Sequence, residues 1–198
     1  MDFLLILTYF VIFSVVCYCV YIYVSEDSFQ LKCIISTVDG NKYCVRERNK
    51  IEEAADLLAR VTKKLEKLVK YAKNTYPDDP VSKQIEKNFN STKIMETLPT
   101  SELTAFSLNK GEQISFCLNE DKHDNDSLIS EDVLTFVALH ELSHLGTESI
   151  GHKDDFWVNF KKILIWSEEC NIYKPEDFSK TPKNYCGMKI NDSPYFSL

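Results

Sequence analysis

FVALHELSHLG, residues 136–146, sets His140 and His144 four positions apart, with Glu141 directly after the first of them. At 3.6 residues per turn, a spacing of four puts both imidazoles on one helix face, where they can reach a single cation. Glu141 then lies about 100° further round. The residue types suit zinc chemistry. Neutral imidazoles hold Zn²⁺ without cancelling its charge, and a neighbouring carboxylate can accept a proton from water and later release it. The chain holds only four histidines, and His140, His144 and His152 all fall between positions 140 and 152, which makes a chance pattern rare. Upstream, Ser130 is placed to cap this helix, and Glu131 and Asp132 favour its positive end. Gly146 reads as its terminator.

Two histidines leave a three-ligand site incomplete, and His152 is the candidate for the third position. Gly146 and Gly151 offer turns that bring it back. Acidic alternatives stay open: Glu148, Asp154 and Asp155 are close in sequence, and Glu168 or Glu169 can return from the next helix. His123 sits in a polar run and reads as exposed. Phe156, Trp157, Phe160, Ile163 and Leu164 recur at helical spacing as far as Trp166, predicting a helix whose apolar face packs behind the histidine helix. Its aromatic residues read as core rather than pocket. Asp154 and Asp155 read as helix-start charges, either of which could instead orient a ligand imidazole.

Further upstream, 105–108 and 113–118 flank Asn109-Lys110-Gly111-Glu112 and read as a hairpin, with Gly111 at a positive-φ position. Gln113–Leu118 is the candidate free edge for an extended peptide. Residues 81–100 suggest a short helix over 81–89 and then a polar loop. From Ile51 to Ala72 the apolar residues step by three and four, an amphipathic helix that Pro77 and Pro80 bring to an end. Asp39-Gly40 marks a turn between strands near 29–37 and 42–45.

Residues 3–24 contain no Asp, Glu, Lys, Arg or His. As a helix these 22 residues span roughly 33 Å, enough for a hydrocarbon core of about 30 Å. Without a basic leader or a small-residue cleavage site the run reads as a retained single-pass anchor rather than a cleaved signal, with Tyr18, Tyr21 and Tyr23 at the headgroup boundary. The leader carries no Lys or Arg, whereas Lys32, Lys42, Arg46 and Arg48 follow the span, which favours a cytosolic domain. Three Asn-x-Ser/Thr sequons begin at Asn90, Asn125 and Asn191 and would accept glycans in a lumenal domain. Cys17 and Cys19 lie in the apolar run. The other five cysteines, Cys33, Cys44, Cys117, Cys170 and Cys186, are odd in number and lack a C-x-x-C pair, so reduced thiols are expected; a Cys33/Cys44 or Cys170/Cys186 bridge requires an oxidising compartment. A formal charge of −7 with no long basic run argues against nucleic acid as a partner.

VALHELSHLGTESIGHKDDFW (137–157) resembles the WLM, SprT-like and YgjP-like group of small zinc metallopeptidase domains, and most of all the membrane-anchored members of large DNA viruses, iridovirus-like ones included. The likeness extends to KYCVRERNKIEEAADLLARV (42–61), LNKGEQISFCL (108–118) and IYKPEDFSKTPKNYCGM (172–188). Seven residues separate His144 from His152 here, against five in the common cellular pattern; the longer spacing looks like the viral variant. The resemblance implies an α+β fold with a zincin-like core, a small antiparallel or mixed sheet packed on the HExxH helix. It also implies His140, His144 and His152 as Zn²⁺ ligands, Glu141 as general base, and a peptide or protein substrate. The expected organisation is an anchor over 1–27 and a zinc metallopeptidase-like domain over 28–198, in a host or virion membrane. The competing expectation is a catalytically silent membrane protein that keeps zinc for stability. Tyr173 and Tyr185 are candidate oxyanion donors whose simpler reading is packing.

Overall fold

The computed structural model describes residues 3–27, 31–124 and 127–197. Helix α1 (Phe3–Asp27) leaves Leu5–Ile22 wholly uncovered by the rest of the chain. Ser14 is satisfied by donating to the Phe10 carbonyl one turn earlier, at 2.9 Å. Length and apolarity suffice for a membrane crossing, and the lack of cover distinguishes α1 from a core helix.

Strands β1 (Leu31–Ile35) and β2 (Lys42–Arg46) form the expected antiparallel hairpin, with Gly40 at φ 73° in its turn. Phe29, the expected start of that hairpin, and Asn125 lie outside the described residues. Helix α2 (Ile51–Thr75) buries Ala54, Ala55, Leu58, Val61, Leu65, Leu68 and Ala72 along one stripe, matching the expected periodicity. Helix α3 (Pro80–Asn88) starts on Asp79, whose carboxylate accepts from the Val81 backbone N–H at 2.8 Å.

A three-stranded sheet follows: β3 (Ile94–Glu96), β4 (Ala105–Leu108) and β5 (Gln113–Phe116). Its order is β3-β5-β4, with β5 parallel to β3 and antiparallel to β4. The expectation that Gln113–Leu118 forms the edge is therefore corrected: β3 covers the far side of β5, and β4 takes the edge. Three residues of β3 are too few to show a strand period in the sequence.

Helix α4 (Glu131–Gly146) is the centre of the molecule, packed against α2, α3, α5 (Asp154–Glu169) and β4. Leu134, Ala138 and Leu139 are fully buried, and Glu131 pairs with Arg60 and Lys64 of α2 at 2.8 Å each. Gly146 ends α4, yet not through a left-handed backbone. A Cβ there would stand 2.8 Å from Val81 Cγ1 and 3.0 Å from Ile85 Cγ2, so the glycine lets α3 approach. The turn glycine Gly111 meets both demands, at φ 105° with the Asn88 carbonyl filling the space a side chain would need.

Two further devices tie the sheets to the tail. Glu96 is buried between Arg46 and Arg48, accepting from the Arg48 guanidinium and, at 2.7 Å, from the Arg46 backbone N–H. Arg46 also donates to the Thr97 and Lys122 carbonyls, at 2.7 and 2.8 Å, and Arg48 to Asn119 Oδ1 at 3.0 Å. Removing one member of such a buried set costs about 3–5 kcal/mol. The expectation of reduced thiols is also corrected. Cys33–Cys44 joins β1 to β2, and Cys117–Cys186 joins the end of β5 to the turn between β6 (Lys183–Tyr185) and β7 (Met188–Ile190). Cys170, expected as a possible partner of Cys186, is buried and unbridged at the end of α5. Closing loops of 11 and 69 residues removes roughly 3 and roughly 4 kcal/mol of chain entropy from the unfolded state. A terminal turn, α6 (Pro194–Ser197), packs on α5.

Candidate metal centre

Helix α4 presents His140 and His144 on one face, as the spacing requires, with ring centroids 5.0 Å apart. The chain leaves α4 at Thr147, turns at Gly151 with φ 81°, and delivers His152 just before α5 begins. His152 Nε2 comes within 2.9 Å of His140 Nε2 and 3.2 Å of His144 Nε2. Three nitrogens bound to one tetrahedral Zn²⁺ at 2.0–2.1 Å would stand about 3.3 Å apart. A proton shared between two of them leaves the third lone pair facing its neighbours, whereas one cation satisfies all three. The donor set fits Zn²⁺ on both spacing and chemistry.

Aromatic side chains of α5 fix the rings. Phe156, fully buried, stacks on His144 at 4.3 Å and 26°, and buried Phe160 meets His140 edge-on at 5.2 Å. The core reading holds for these two. Trp157 is 37% exposed and lies 5.6 Å from His152, so it forms the rim of the site instead. That Phe156 serves as a plate for the His144 ring was not visible in the helical period, which shows no more than that a face is apolar.

Three of the five acidic alternatives are engaged elsewhere, and Glu148 and Asp154 are not part of the cluster that the three histidines form. Asp155 accepts from the Ser149 hydroxyl at 2.7 Å, Glu168 from Tyr195, and Glu169 from Tyr71 and Tyr76. Among the described residues, neither Asp154 nor Asp155 joins the histidine cluster. His123 is exposed and apart from the cluster.

Burial governs the electrostatics. It holds the His140 pKa down at about 3, reinforced by the charges that His144 and His152 would carry, and holds His144 down at about 4 with help from His152 and Lys110. His152, the most exposed of the three, is lowered by the same cause. All three imidazoles are thus neutral at pH 7, the state a metal needs. Glu141 is 5% exposed, and burial raises its carboxyl to about 7 against the opposing pull of a hydrogen bond with Ser107 on β4.

The end of α4 is held from outside. Lys110 Nζ donates to the Thr147 carbonyl and, at 3.0 Å, to that of Glu148; Asn88 Nδ2 donates to the Leu145 carbonyl at 2.9 Å. Asn159 of α5 donates to Thr147 Oγ1 at 3.0 Å. These bonds satisfy orphan carbonyls and place a cation at the negative helix end. Tyr185 is no oxyanion donor: its buried hydroxyl donates to the Thr104 carbonyl at 3.1 Å and accepts from the Cys117 N–H at 3.2 Å. Tyr173 is buried with its ring 6.3 Å from Phe136, a packing position.

With this arrangement in view, comparison with solved structures finds one informative likeness. The fold resembles that of Wss1. The crystal structure of Wss1 from Saccharomyces cerevisiae superposes with a TM-score of 0.50 over 64% of this chain and 87% of that one, at 19% identity. The likeness is one of fold alone, an α+β core, which one apolar helix precedes in this chain. No protein-family model matches the chain. Among curated proteins, an uncharacterised protein of Acanthamoeba polyphaga mimivirus is 27% identical over 161 residues, 79% of this chain and 81% of that protein. Uncharacterised proteins of Invertebrate iridescent viruses 6 and 3 are each 30% identical, over 41% and 50% of this chain. The matched regions are 44% and 57% of those two proteins.

Proposed function

We propose that this protein is a membrane-anchored, zinc-dependent metallopeptidase that hydrolyses peptide bonds. Residues 1–27 form the anchor and residues 28–198 a zincin-like catalytic domain. The observation that carries the reading is the convergence of three imidazole Nε2 atoms beside a buried carboxyl that titrates near neutrality. The viral relatives support a virion or host membrane as its location.

His140, His144 and His152 are the metal ligands in this proposal. When bound, Zn²⁺ supplies Lewis acidity, polarising a carbonyl and lowering the pKa of water to about 7. The chain's own groups do the rest. The β4 edge that β5 leaves unpaired offers backbone N–H and C=O groups to an extended peptide, which it would hold as an added strand. Ser107 of that strand bonds to Glu141, so the peptide and the general base share one support. Glu141 takes the proton from the attacking water and returns it to the leaving amine nitrogen. A carboxyl near pKa 7 is matched to both transfers at neutral pH.

Full-length protein purified in detergent tests this directly. One zinc per chain is expected in both the wild type and Glu141→Gln, because Glu141 is not a ligand. Peptide-library hydrolysis followed by mass spectrometry should fall about 10²–10⁴-fold in the variant. A zinc-loaded wild type no faster than Glu141→Gln would favour the silent, zinc-stabilised alternative.

A further inference from the structure

Four of the five cysteines outside the apolar helix are joined in two bridges, one within eleven residues and the other across 69. Thiol pairs of this structural kind persist in oxidising compartments and are kept reduced in the cytosol. One bridge lies in the β1–β2 hairpin and the other fastens the tail hairpin. Three of the five β1 residues are exposed, and among the described residues β1 pairs with β2 alone, in the strand pair that carries Cys33 and Cys44. The tail hairpin is fastened at Cys186, held at φ 52° by the bridge and by its N–H bond to the Asn119 carbonyl at 2.9 Å.

The sequons supply an independent observation. Asn90 is exposed and opens a 3-10 turn over Ser91–Lys93. Its Oδ1 accepts from the Thr92 hydroxyl at 2.8 Å and the Thr92 N–H at 3.0 Å, while no bond to Nδ2 is recorded among the described residues. The nucleophilic amide and the sequon hydroxyl are therefore together at the surface. Asn191 is exposed too, but its sequon hydroxyl belongs to Ser193, 3% exposed and followed by Pro194. The orientation signal beside α1 is correspondingly small: Glu26 and Asp27 are nearest the span, and only Lys32 and Lys42 fall within the next twenty residues.

We propose that the domain is exported to an oxidising lumen, where two disulfides hold it and an N-linked glycan is attached to Asn90. This replaces the cytosolic orientation that the basic residues after the span favour. Each bridge forms as two thiols give up two protons and two electrons to a disulfide-bearing oxidoreductase, whose own disulfide is reduced. The glycan is attached when Asn90 Nδ2 attacks the anomeric carbon of a lipid-linked oligosaccharide. A C–N bond forms, the C–O bond to the lipid pyrophosphate breaks, and the amide loses one proton.

The test is expression of the full chain in cells with a secretory pathway, maleimide alkylation before lysis, and peptide mass mapping with and without reductant and N-glycanase. Expected are Cys33, Cys44, Cys117 and Cys186 protected until reduction, and a glycosylated Asn90 peptide in which N-glycanase leaves an acid in place of the side-chain amide. Asn90→Gln and Thr92→Ala should each remove that glycan while the four cysteines stay protected, and Asn191→Gln should leave it in place. Free thiols at those four positions overturn the proposal, as does an unmodified Asn90 in a bridged protein. Neither zinc nor hydrolysis enters these readings, so the metallopeptidase proposal stands or falls separately; alkaline extraction reports on the anchor.

Discussion

Helices α1 and α4 both carry apolar residues on every side, and the fold treats them in opposite ways. No residue of Leu5–Ile22 in α1 is buried among the described residues, whereas twelve of the sixteen residues of α4 are buried among α2, α3, α5 and β4. A helix apolar on every side needs a solvent that is apolar on every side, and protein or lipid can supply it. Polar content separates the two. In α1, Ser14 folds back on its own backbone. Helix α4 brings His140, Glu141 and His144 inside, and their desolvation is offset by partners from outside the helix: His152, Ser107 and the proposed zinc.

The largest effect expected from breaking this contrast is at the ligand set. His140→Ala should weaken zinc retention by more than about 100-fold, beyond the roughly 10–100-fold that loss of an outer partner costs, as read by metal analysis after dialysis. Core truncation comes next. Leu139→Ala in α4 should cost about 2–5 kcal/mol by denaturant titration, while Leu7→Ala in α1, 49% exposed to begin with, should leave the domain's midpoint unmoved. Equal losses at both positions would mean that α1 packs against the domain. Gly146→Ala should be milder, about 1–3 kcal/mol, because Val81 and Ile85 must move aside for one methyl group.

The smallest effect is on pH dependence, best measured on zinc-stripped protein. The histidines of the site have pKa values below their unfolded value, so the unfolded chain takes up protons first as pH falls through about 6.5. Stability from this source is intact above that pH and declines toward the folded values of about 4 for His144 and about 3 for His140. Glu141 acts in the opposite sense. Its carboxyl is raised to about 7, so its contribution is complete below the unfolded value of 4.5 and is lost as pH rises through 7. The melting temperature of the stripped protein should fall between pH 6.5 and 5, where three histidines outweigh one carboxyl. Zinc should raise the melting temperature throughout that range without flattening the slope, because the bound imidazoles stay neutral in the folded chain while the unfolded chain still takes up protons; a melting temperature that zinc does not move would separate the metal from these rings.

The helices were largely legible because their signals are local. The apolar stripe of α2, the cap at Ser130 and the four-residue histidine spacing each lie within a few turns of chain. His152 was legible as a ligand candidate for a different reason, the scarcity of histidine in this composition. Strand β3 was missed because Ile94–Glu96 is too short to carry a period, and with it the central place of β5. Pairing of Cys117 with Cys186 was out of reach because 69 residues of intervening fold decide which thiols meet.

By itself, then, the sequence determined that one helix would carry two imidazoles and a carboxylate, that an uncharged run long enough to span a bilayer stands near residue 3, and that the elements would be mixed α and β. Tertiary structure decided which strand is the edge beside Glu141, which residue completes the histidine cluster, which aromatic ring flattens against His144 and which thiols are bridged. The first set depends on backbone periodicity over a few residues. The second depends on distances between groups remote in the chain, which are fixed only when the core closes around α4.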